Sequence, residues 1–176
     1  MKRLIGLVVA VLVLFSVPAF ASNVKIGYVD LQKALNESSA GKAAKAEIAV
    51  KYKKYQKTLE ERQKELADQK AELEKQSMLL AQDARDDKEH AYQQKVKDFQ
   101  RFAKDAQDDL KQKDSDFTRQ IIANLVGVVK TLGKKEGYTI ILEKSQSSVL
   151  YAENKIDLTE QVIKAYDAQS KKESGK

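Results

Sequence analysis

The stretch Leu59–Gln82 reads LEERQKELADQKAELEKQSMLLAQ. Leu59, Leu66, Leu73 and Leu80 stand seven residues apart, and Tyr52 continues the series backwards. Almost everything between them is Glu, Lys, Gln, Arg, Asp or Ala. A seven-residue apolar repeat marks a helix that buries a narrow seam against another helix. The stripe is too thin to be one wall of an ordinary core. This feature constrains the fold more than any other: the helix must find a partner with a matching stripe.

The tract from about residue 42 to 135 supplies one. Its first half carries Ile48, Tyr52, Tyr55, Leu59, Leu66, Leu73 and Leu80, with Arg62, Gln69 and Gln76 at intervening seam places. Its second half carries Tyr92, Val96, Phe99, Ala103, Ala106, Leu110 and Phe117, with Lys113 as a polar seam place. Between them QDARDDKE is polar and has no seam residue, which predicts a bend within 81–88. No Gly or Pro marks that turn, so one unbroken helix is the competing reading. The bend is preferred because each half-stripe needs a partner and the other half is the nearest. Folding back near Asp83 sets Lys51, Lys53, Lys54 and Lys57 near Asp105, Asp108, Asp109 and Asp114, an arrangement suited to an antiparallel coiled coil. From Lys45 to Asp114 there are 17 basic and 16 acidic residues, so the arms are nearly neutral.

The rest of the chain predicts a small α+β body from which this long antiparallel helical hairpin projects. VKIGYV, residues 24–29, alternates like a short strand, and Asp30 can cap a following helix. NESSAG, residues 36–41, reads as a loop. IIANLVGVVKTL, residues 121–132, is apolar enough for a true core. Gly137 is placed to end that helix in the left-handed region. YTIIL, residues 138–142, reads as a buried strand and VLYAE, residues 149–153, as a third strand. Asp157 to Glu160 resembles a capping box that opens a last helix. The expected division is a body of residues 22–44 and 118–170, an arm of residues 45–117 and a frayed tail of residues 171–176. Body candidates are Ile26, Tyr28, Ile121, Leu125, Val128, Ile140, Leu142 and Leu150. So few strands and partial helices make a small core, which argues for help from other subunits.

The N-terminus reads as a signal peptide: Lys2 and Arg3, an apolar run from Leu4 to Val17, then Ala19-Phe20-Ala21 before a cleavage site. Of 176 residues, 155 would remain. Losing Lys2 and Arg3 leaves 30 basic against 26 acidic residues, a net +4, too weak a surplus to indicate nucleic acid. Nothing after the leader is built to span a membrane. There is no cysteine, and the single proline, Pro18, lies in the leader. The product is expected to be soluble in the periplasm.

Catalytic chemistry has nothing to stand on. His90 is the only histidine and lies near the polar bend. The glycines form no phosphate-binding loop. No catalytic, metal-binding or cofactor-binding residue is assigned, and no cofactor is expected.

The order of elements resembles the Skp/OmpH family of periplasmic chaperones over essentially the whole mature chain. The resemblance rests on KIGYVDLQKAL with SAGKAAKAE, on ARDDKEHAYQQKVKDFQRF, and on GYTIILEKSQSSVLYAENKIDLTEQVIKAY. It implies a homotrimer whose strands and flanking helices join into a body. Three hairpins would hang from that body around a cavity that holds unfolded outer-membrane β-barrel proteins without ATP. Some members are strongly basic and linked to lipopolysaccharide. The near-neutral arms here depart from that, and no lipopolysaccharide contact is assigned to any residue. The arm seam is read as Tyr52, Leu59, Leu66, Leu73, Leu80, Tyr92, Val96, Phe99 and Leu110. Met78, Leu79 and Phe102 fall off the seam or at the tip and are the candidate client contacts. Packing within the bend or along the seam is the alternative role for these three. A structural or tethering coiled coil in the cell envelope, without chaperone activity, is the rival function.

Overall fold

In the computed structural model the described residues are 24–76, 79–145 and 149–174. The leader, Met78 and the final two residues lie outside them. Strand β1 (Ile26–Val29) leads into α1 (Leu31–Glu37). Helix α2 (Ser39–Gln76) runs out and α3 (Gln82–Glu136) returns. Strand β2 (Ile140–Glu143), a single 3-10 turn (Asn154–Ile156) and α4 (Thr159–Ser174) close the chain. The class is α+β: a long antiparallel helical hairpin on a small sheet-and-helix body.

Local chemistry explains most element boundaries. The Asp30 carboxylate accepts the Lys33 N–H at 2.7 Å and caps α1 as expected. Gly137 has φ 71° and ends α3 in the left-handed region, also as expected. The anticipated loop at 36–41 is instead one residue. Ser38 breaks the helix with ψ 153°, and its hydroxyl accepts the Gly41 N–H and donates to the Leu35 carbonyl. A single capping serine thus replaces a loop and lets α2 start at once. At the far end Asp157 accepts both the N–H and the hydroxyl of Thr159. Glu160 does not complete a capping box, because it pairs with Lys33 of α1 at 2.8 Å.

The sheet has two parallel strands joined by the whole hairpin, with Ile26 beside Ile140 and Tyr28 beside Leu142. Alternation turns Gly27, Val29 and Ile141 toward the core. A Cβ on Gly27 would lie 2.7 Å from Leu158, so the missing side chain is what lets the start of α4 sit against the strand. The core gathers Val29, Ala34 and Leu35, then Ile121, Leu125, Val128 and Leu132 from α3, and Leu158, Val162, Ile163 and Tyr166 around α4. The α3 residues recur at helical spacing and face one way, as the apolar run required.

Two strand expectations fail. Residues 138–142 do not form a fully buried strand; β2 starts at Ile140, whose side chain is exposed, although Tyr28 on that side of β1 is buried. Residues 149–153 form no strand. The second edge of β1 is taken at Tyr28 by a bridge to Asp157, with the Leu158 N–H donating to the Tyr28 carbonyl. Among the described residues no strand edge pairs with this segment, and Leu150 and Tyr151 are 99% and 84% exposed.

Candidate functional site

The hairpin arm is the largest feature not explained by the core. Helix α2 has 38 residues and α3 has 55, so they run about 57 Å and about 80 Å at 1.5 Å per residue. The chain turns between Gln76 and Gln82 rather than within 81–88. Ala81 is the N-cap of α3 without a side-chain bond, and Asp83 lies in the first turn, where an acidic group favours the helix N-terminus. The polar segment therefore starts the second helix instead of breaking the tract.

Leu59, Leu66, Leu73, Tyr92, Val96, Phe99 and Leu110 are all half-buried along the arm, whereas the small Ala106 within the arm and Ala44 at its base are buried. Two assigned seam residues sit elsewhere. Leu80 lies in the turn, outside both helices. Tyr52 is 55% exposed. Its seam place is taken by Lys51, whose ammonium lies 2.5 Å from Asp109 Oδ2. The Tyr55 hydroxyl donates to the same oxygen at 3.0 Å. Two partners for one carboxylate draw Lys51 and Tyr55 inward and turn Tyr52 out. Of the lysines expected to face aspartates, Lys51 does so; Lys57 pairs with Glu61 on its own helix.

A second contact lies one level outward. Phe102 meets Tyr55 edge-on at 5.9 Å, and the Arg62 guanidinium covers its ring at 4.2 Å. Phe102 is half-buried between the arms, while Leu79 at the tip is 85% exposed. Arg62 was visible in the sequence only as a polar interruption of the seam. A fold about Asp83 would set Lys51 opposite a residue near 115; its pairing with Asp109 shows a register about six residues away from that expectation.

This clasp has a defined acid response. The Lys51 hydrogen bond holds the Asp109 carboxyl below its ordinary range; partial burial opposes this and the Tyr55 hydroxyl adds to it. Lys51 is raised by the same contact, and burial raises Tyr55. A carboxyl held low in the folded state stabilises fully above its unfolded pKa and loses that effect as pH falls through the lowered value. Asp109→Asn is expected to lower the thermal midpoint at neutral pH, with the gap to the parent closing as the solution is acidified. A gap that stays constant down to strongly acidic pH in melts followed by circular dichroism would contradict this role.

The assigned body residues divide into two groups. Tyr28, Ile121, Leu125 and Val128 are buried within the single subunit. Ile26, Ile140 and Leu150 are exposed, and Leu142 is half-buried. Ile26 and Ile140 are paired neighbours on the outer side of the sheet, and Tyr151 borders the same hollow as Ile26. Among the described residues no group of three metal-ligating side chains gathers, and no helix is long and apolar enough to cross a membrane.

A family model described as outer membrane protein (OmpH-like) matches residues 25–166, which takes in both the body and the arm. The chain belongs to the OmpH-like family. The OmpH-like chain also superposes on the crystal structure of a candidate outer membrane chaperone (OmpH-like) from Caulobacter crescentus CB15. The TM-score is 0.77 at 19% identity, covering 83% of this chain and 85% of the other. At that identity the likeness establishes the shared fold. No curated protein matches the sequence.

Proposed function

We propose that this OmpH-like protein is a periplasmic, ATP-independent holdase for unfolded outer-membrane β-barrel proteins. It acts as a homotrimer after removal of residues 1–21. The observation that carries the reading is the split of apolar surface between two places. The sheet presents Ile26 and Ile140 outward beside a small core, and Val24, Leu150 and Tyr151 of the body are exposed as well. The arm, by contrast, leaves its seam half-exposed over its whole outer length. The first surface suits permanent burial against further copies of the body. The second suits weak and exchangeable contacts, since each apolar side chain contributes at most about 1.5–3 kcal/mol on full burial. Family membership and the fold shared with a candidate chaperone support the same reading.

The test uses protein recovered from the periplasm, with a mass that begins at Ser22. Light scattering of a barrel protein diluted from denaturant should stay low when the chaperone is present at three subunits per client, with no nucleotide. Scattering unchanged by the protein would leave the tethering role as the better account.

The client surface is proposed to include Leu79 at the tip and Phe102 on the flank of the arm, with Met78 as a candidate from the sequence that lies outside the described residues. Its packing against Tyr55 and Arg62 gives Phe102 a second role, so the residues are separated by their side effects. Leu79→Ser is expected to weaken client binding with unchanged thermal stability. Phe102→Ser is expected to weaken binding and also to destabilise the arm by about 1–3 kcal/mol, less than full deletion of a buried aromatic. Client titrations and melts on the two variants check this; unaltered binding in both would remove these residues from the client surface.

A further inference from the structure

One side of the outer arm carries a groove that the folded chain does not fill. Its inner part, about 390 Å³, has Leu66 and Phe99 in its floor. Its outer part, about 190 Å³, has Leu73 and Tyr92. Lys95 borders both, so the two parts are neighbours along the arm. The wall on α2 carries Glu61, Glu65 and Glu72 beside Arg62 and is acidic on balance; the wall on α3 carries Lys88 and Lys95 beside Asp98 and is basic on balance. Among the described residues no ion pair crosses the groove. Glu61 pairs with Lys57 and Asp98 with Arg101, each along its own helix. The polar seam residues Arg62 and Gln69 line it as well, so the gap lies where the heptad pattern lacks apolar residues.

The spacing of the floor selects the occupant. Leu66 to Leu73 and Phe99 to Tyr92 are each seven residues apart, about 10.5 Å along a helix. An extended strand presents one face every second residue, about 6.7 Å, and falls out of step with that floor. A helix with its own seven-residue apolar repeat keeps step with it. Walls of opposite sign suit a helix that carries basic residues on one flank and acidic residues on the other. We infer that the groove between α2 and α3 is a docking site for an amphipathic helix of a partner protein, with an apolar heptad seam and oppositely charged flanks. Bound there, the helix completes a three-helix bundle over the outer arm. The floor residues belong to the same half-exposed seam that the proposed function gives to clients, so this docking rests on that reading of the arm; binding of a helical peptide, read apart from client capture, tests the docking alone.

The probe is a three-heptad peptide with leucines in its seam, lysines on one flank and glutamates on the other, kept below its own self-association. Fluorescence anisotropy with the full mature protein should show saturable binding and a gain in helical signal. Peptides with lysines on both flanks, or glutamates on both, should bind about tenfold more weakly, a change of about 1.4 kcal/mol. A peptide of equal composition with strictly alternating leucines should also bind about tenfold more weakly. Changing Lys88 and Lys95 together to Glu makes both walls acidic and should move the preference to the peptide with two lysine flanks. The neutral pair Lys88→Gln and Lys95→Gln should bind the three helical peptides with a narrower spread. The inference is overturned if the alternating peptide binds as well as the mixed-flank helix. It is equally overturned by absence of saturable binding, or by folded charge variants that leave the preference unchanged.

Discussion

Gly41→Ala is expected to destabilise the body by about 2–3 kcal/mol, the range for forcing atoms into a packed site. In an exposed helix the same change would stabilise by up to about 1 kcal/mol through helix propensity. Packing decides the sign here. A Cβ on Gly41 would stand 1.7 Å from the Leu35 carbonyl oxygen and 2.9 Å from its carbon. Both are backbone atoms of α1, so relief requires moving α1 away from α2 and opening the Ser38 corner. Gly127 supplies the internal control, because a Cβ there meets nothing within 4 Å. Gly127→Ala should raise stability by about 0.5–1 kcal/mol. Urea unfolding of both variants checks the pair; two shifts of the same sign would mean that helix propensity outweighs the α1–α2 contact.

Leu125→Ala is expected to have the largest effect of any single truncation, about 2–5 kcal/mol. Leu125 is wholly buried where α3 crosses the body, among residues from α1 and α4. A loss of that size removes a large share of a typical stability of about 5–15 kcal/mol. Leu66→Ala in the arm removes the same atoms from a half-exposed site and should cost well under half as much, since less area leaves water. Denaturation followed separately by helical signal and by tyrosine fluorescence compares them. Equal costs for the two would contradict the contrast between a packed body and a loosely closed arm.

Features determined by neighbours in sequence were legible before the structure. Asp30 needed only the helix start after it, Gly137 only the end of an apolar run, and the leucine heptad only its own spacing. Features determined by distant partners were not. Tyr52 fits the heptad better than Lys51, but Asp109 from the other arm reverses the choice. The segment at 149–153 has strand composition, yet a strand needs an edge, and Asp157 occupies the one beside Tyr28. The turn was misplaced because neither Gly nor Pro marks it and Ala81 caps without a side chain. Among the candidate contacts, the exposed position of Leu79 could be read from helix phase, whereas the Arg62 cover over Phe102 depends on a cation–ring contact that a heptad pattern does not show.

The central claim is that the body assembles and the arm holds clients. It is tested most directly by replacing residues 66–99 with a short glycine-rich turn. The cut leaves Lys51, Tyr55 and Asp109, and Arg62 over Phe102, to close the shortened hairpin. Native mass measurement, alone and with an unfolded barrel protein, should show three subunits in both cases and no bound client. The full-length protein should show three subunits with one client. Monomers from the shortened chain would place assembly in the arms, and a shortened trimer that still carries its client would place the client site in the body.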